Sequence, residues 1–145
     1  MTTNVTVESL VNPTEDPAKV ERAVHNIFPG APIKRTNVGN DVIKLEVSGS
    51  GLEFLRTLRA LIMQDRIRSA ARRILLVSAR TGQIRFSLNK QVAFVGRVSF
   101  CAPVGESPLG PISIKIETTE SDQVIDFLAA IPGEVFRSRD VQEDR

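Results

Sequence analysis

The sequence predicts a single α+β domain, and three observations predict it. Strict apolar alternation, as in Ile43, Leu45 and Val47 or Ile112, Ile114 and Ile116, marks strands with one buried face. Between such stretches lie segments with apolar residues at helical spacing, among them Val20, Ala23, Val24, Ile27 and Phe28. At 145 residues with 41% hydrophobic and 25% charged content, the chain suits one conventional core and neither disorder nor a membrane span. The domain is expected over residues 1–136, followed by a charged tail over 137–145 that is expected to fray. No internal repeat or long linker divides it.

Each element has a local reason. Val5 and Val7 alternate in a short strand over 4–7. Asp16-Pro17 reads as a helix start, because an aspartate caps free N–H groups and proline at the first helical position forfeits no hydrogen bond. Pro29-Gly30 stops that helix. Residues 33–38 and 42–47 read as a hairpin around Gly39-Asn40. The run over 48–51, Ser-Gly-Ser-Gly, reads as a flexible turn into a helix carrying Leu52, Leu55, Leu58 and Ile62. A second helix is expected over 64–79. On its wheel Ile67, Ala70, Ala71, Ile74, Leu75 and Val77 fall on one side, and Arg66, Arg68, Arg72, Arg73 and Arg80 on the other. Leu76 falls among the arginines and suggests contact with another element or subunit.

Farther along, Ile84, Phe86 and Leu88 alternate inward while Arg85 and Ser87 face out. Asn89-Lys90-Gln91 opens a short helical turn closed by Gly96, and residues 98–101 are a strand candidate. The proline- and glycine-rich stretch over 102–111 predicts an irregular loop of defined shape. After the strand of Ile112, Ile114 and Ile116, Ser121 is expected to cap a last helix with Val124, Ile125, Leu128 and Ile131 inward.

Charge is placed unevenly. From residue 55 to 97 there are ten basic residues, nine of them arginine, and one acid, Asp65; this net of +9 leaves −7 for the remainder of a chain that totals +2. Arginine presents a planar fork of donors suited to phosphate oxygens. The chain has no Trp or Tyr, so the exposed aromatic platforms used for single strands are lacking, and structured or double-stranded RNA is the better partner. The bland alternative is a solvated helix face.

Catalytic signals are weak. His25 is the single histidine and has no motif partner, and Cys101 has no catalytic-cysteine or Cys-x-x-Cys context. No zinc spacing, phosphate loop or dinucleotide fingerprint occurs, so neither enzyme activity nor a cofactor is expected. One cysteine and an N-terminus unlike a signal peptide fit a reducing cytoplasm.

Four runs carry a family resemblance: NPTEDPAKVERAVHNIFPG over 12–30, LRALIMQDRIRSAARRILL over 58–76, FSLNKQVAFVGRVSF over 86–100 and ESPLGPI over 106–112. In these runs the chain is similar to the archaeal uncharacterised protein family 0201, described as predicted RNA-binding proteins. The resemblance implies a fold like that of ribosomal protein L5, with a mostly antiparallel or mixed sheet and helices packed on one face, akin also to double-stranded-RNA-binding domains. Combined with the charge pattern, it nominates Arg66, Arg68, Arg72, Arg73, Arg80, Lys90 and Arg97 as an RNA surface. The architectural rival has Asn89 capping a turn, Gln91 bonding to backbone and Arg72 pairing with an acid. The alternative function is a homo-oligomeric interaction or assembly module; no small-molecule substrate is identified.

Overall fold

Alternation at the N-terminus extends well past Val5 and Val7. The computed structural model describes residues 3–101 and 110–130. Strand β1 spans Thr3–Val11, with every second side chain from Thr3 to Val11 buried and the others turned to the opposite face. It pairs with β3 (Ile43–Ser50) on one side and β6 (Pro111–Thr118) on the other, so that Val7 lies opposite both Val47 and Ile114. Adding β2 (Lys34–Asn37), β4 (Ile84–Asn89) and β5 (Phe100–Cys101) gives a sheet of order β2-β3-β1-β6-β4-β5, antiparallel at every pairing.

The register sends Val5, Val7, Val47, Phe86, Leu88, Ile112, Ile114 and Ile116 to one face. Against it pack α1 (Pro17–Ile27), a 3₁₀ turn (Leu52–Leu55), α2 (Arg56–Gln64), α3 (Arg68–Ala79), α4 (Lys90–Phe94) and α5 (Ser121–Ala129). Val24, Ile27, Leu58, Ile62, Leu75, Ile125 and Leu128 join the strand residues in one core. Each such side chain contributes about 1.5–3 kcal/mol on burial. The opposite face of the sheet is polar and open, with Asn4, Glu8, Ser48, Ser113 and Glu117 exposed. Among the described residues the fold is thus α+β, with six antiparallel strands and five α-helices.

Local signals that depend on neighbours in sequence hold. Asp16 caps α1 by accepting from the Ala18 N–H at 3.0 Å, and the β2–β3 turn takes positive φ at Gly39, Asn40 and Asp41. Three expectations change. The 48–51 stretch is not simply a turn, since β3 continues to Ser50: Gly49 lies beneath the Phe54 ring, which would come within 2.1 Å of any added Cβ, and Phe54 stacks on Phe28. Ser121 opens α5 without capping it; Thr118 Oγ1 instead accepts from the Glu120 N–H at 2.9 Å.

The third change bears on function. The helix expected over 64–79 is interrupted, because Arg66 sits at φ 58. The Ile67 N–H bonds to Ile62 O and the Arg66 N–H to Met63 O, both at 3.2 Å, which closes α2 in a Schellman turn with arginine where glycine is usual. The expected loop over 102–111 falls mostly, and Ile131 and the tail over 137–145 entirely, outside the described residues.

Candidate nucleic-acid interface

Helix α3 does not present the face its hydrophobic pattern predicts. It is turned by roughly one residue's step, ~100°: Ala71, Arg72 and Leu75 face the core, while Val77 is 55% exposed. The solvent stripe is therefore Ser69, Arg73, Val77 and Arg80, with Arg66 ahead of it in the α2–α3 turn. Leu76, on the side given to the arginines, packs against the core, which is the contact with another element that its position suggested.

The cause of this rotation lies on α5. Carbonyls at a helix C-terminus lack partners and carry partial negative charge. Arg72 Nη1 donates to Ala129 O at 3.3 Å and to Asp126 Oδ1 at 3.0 Å, and Arg68 Nη1 donates to Ala130 O at 3.3 Å. Two arginines of α3 thus supply donors to the end of α5. Arg72 is only 5% exposed, which takes it off any surface. Its pairing with an acid is the architectural alternative, and the structure selects it.

Lys90 is likewise withdrawn, at 3% exposure. Its ammonium donates to Leu10 O at 2.6 Å and to both Glu15 carboxylate oxygens, at 3.0 and 3.2 Å. The charge ties the start of α4 to the end of β1 and the entry to α1. Asn89 beside it caps α4 by accepting from the Val92 N–H at 2.9 Å. Arg97 is exposed, with Nε 3.3 Å from Oδ1 of Asp65, whose other oxygen accepts from the Val98 N–H at 2.9 Å.

Of the seven nominated cations, Arg66, Arg73 and Arg80 are exposed and have no hydrogen-bond or ion-pair partner among the described residues. Other exposed arginines are occupied close by: Arg35 with Glu21, Arg56 with Glu53, Arg22 over the Phe94 ring and Arg59 over the Phe127 ring. Sequence reading passed over a second cationic location. Arg85 and Lys115 stand directly opposite in the β4–β6 ladder, on the open face. The alternation around Ile114 and Ile116 turns Lys115 outward, but its neighbour is fixed only by strand pairing.

His25 is exposed, with Nε2 2.9 Å from the carbonyl of Ala31, and Cys101 is half-buried at the end of β5. Among the described residues no group of three or more His, Cys, Asp or Glu side chains could hold a metal, and no helix is long and apolar enough to cross a membrane.

A family model described as RNA binding matches residues 4–127. A UPF0201 protein of Sulfolobus acidocaldarius is 40% identical over 126 residues, covering 87% of this chain and 86% of that one. This chain belongs to the UPF0201 family. Another UPF0201 protein, from Aeropyrum pernix, is 37% identical over 126 residues, covering 86% and 83%. The UPF0201 fold is also found in a crystal structure of a Methanococcus jannaschii member, at TM-score 0.77 and 30% identity over 88% of this chain and 93% of that one.

Proposed function

We propose that this UPF0201 protein is a non-catalytic RNA-binding protein that holds the backbone of structured or double-stranded RNA through Arg66, Arg73 and Arg80. The observation that carries the reading is the solvent stripe of α3, whose guanidinium groups have no carboxylate partner among the described residues. Arg73 and Arg80 lie two helical turns apart, ~10 Å along the axis, a spacing that suits separate phosphates rather than one. None of the described phenylalanines is exposed, which favours a duplex or folded RNA read by shape over a stacked single strand. The family model's description agrees with this reading.

Binding of a labelled RNA hairpin, measured by fluorescence polarisation across about 50–200 mM salt, tests it. Three phosphate contacts give a slope of log affinity against log salt of about −2 to −3. The triple variant R66A/R73A/R80A is expected to lose that slope while keeping the parental fold. A flat slope in the parent, or no binding at low salt, overturns the proposal.

A further inference from the structure

The open face of the sheet carries a hollow that the RNA reading leaves unused. Its volume is about 710 Å³, within the range of small-molecule sites. Arg85 and Lys115 line it from directly opposite ladder positions, where like charges repel. The guanidinium of Arg85 donates from Nε and Nη2 to Oε1 of Gln83, at 3.0 and 2.7 Å. Gln83 in turn donates to Glu117 at 3.0 Å. Arg85 is therefore oriented by a neutral amide and keeps its charge. Lys115 has no hydrogen-bond or ion-pair partner among the described residues.

Ser87 supplies an independent sign. It lines the same hollow at 7% exposure, and among the described residues its hydroxyl makes no hydrogen bond. A buried hydroxyl in that state carries an uncompensated loss of hydration. Glu8 lines the hollow too, so two cations stand against one carboxylate; the surplus positive charge and the Ser87 hydroxyl together form a receptor for an oxyanion. The hollow continues round the edge of β4 to Ile74 and Phe100 on the helix-covered side of the sheet, an apolar wall suited to a planar ring.

We infer that this cleft binds a small organic phosphate of the nucleoside monophosphate class. The phosphate meets Arg85, Lys115 and the Ser87 hydroxyl, and the ring lies toward Phe100 and Ile74. The inference is independent of the RNA reading, since none of these residues is Arg66, Arg73 or Arg80.

Calorimetric titration of the full chain with AMP, adenosine and inorganic phosphate tests it. AMP is expected to bind at least about tenfold more tightly than either fragment, because each fragment forfeits one half of the site. K115M, which keeps the length of the side chain and removes its charge, is expected to weaken AMP by about tenfold or more. K115R is expected to restore most of the affinity, which excludes a folding defect as the cause. S87A is expected to weaken AMP severalfold, and R66A/R73A/R80A to leave it unchanged. The inference is overturned by no AMP binding at millimolar concentration, by inorganic phosphate or adenosine binding as tightly as AMP, by K115M matching the parent, or by loss of AMP binding in the triple variant.

Discussion

Replacing Arg72 by Met separates an internal role from a surface one. The variant keeps most of the apolar stem but leaves the Asp126 carboxylate, whose side chain is 20% exposed, facing the carbonyl end of α5 without that guanidinium. Removing one partner of a buried ion pair costs about 3–5 kcal/mol. Asp126 keeps some access to water, so the lower end applies, about 3 kcal/mol. For a chain of 145 residues this lowers Tm by roughly 6–12 °C. In urea the midpoint falls while m stays constant, because the surface exposed on unfolding is the same. D126N is expected to destabilise as well, and the double variant R72M/D126N to cost less than the two single effects added, with a coupling of about 1–3 kcal/mol. RNA affinity and its salt slope, measured where R72M is fully folded, are expected to match the parent. If R72M instead unfolded at the parental midpoint and bound RNA more weakly, the burial argument for Arg72 would be refuted.

The other predictions follow from single contacts. R66G relieves the positive φ at the end of α2, so stability is expected to rise by roughly 0.5–1 kcal/mol in thermal unfolding while RNA affinity falls; parallel losses of both would place the value of Arg66 in packing. G49A drives a methyl into the Phe54 ring and displaces it from Phe28, a loss of about 1–3 kcal/mol readable in urea, and an unchanged midpoint would contradict the packing described. N89A removes the α4 cap and is expected to cost about 1 kcal/mol without changing the salt dependence of RNA binding. K90M leaves the enclosed Glu15 carboxylate without its ammonium and is expected to cost about 3–5 kcal/mol, with E15Q/K90M recovering part of it in the same assay.

What could be read directly from the chain was whatever its neighbours in sequence decide. Asp16 and Pro17 act on the next two residues, and Gly39-Asn40 acts within its own turn, so both features stand where expected. Alternation likewise placed Ile84, Ile112 and Ile116 in the core. The failures at Arg72, Lys90 and Arg85 are encounters at a distance. A helical wheel counts every arginine as outward, yet Arg72 turns inward because carbonyls of α5, more than fifty residues later, accept its protons. Lys90 meets Glu15 across 75 residues of sequence. The pairing of Arg85 with Lys115 needed the strand order, which no local pattern supplies. Arg66 could have been questioned from sequence alone, since Asp65 and Arg66 break the apolar rhythm between Ile62 and Ile67.

The central placing of β1 has a consequence for biosynthesis. Strand β1 is made before both of its neighbours and finds β3 soon enough, but Thr3 must wait for Thr118, 115 residues downstream, before its second edge is occupied. Bringing those ends together costs about 4 kcal/mol in chain entropy. At typical elongation rates the interval between completion of β3 and arrival of β6 lasts on the order of 5–10 seconds. Throughout it, an edge lined by Val5 and Val7 remains open to any other extended chain. The sheet of this topology therefore cannot close until β6 has been synthesised.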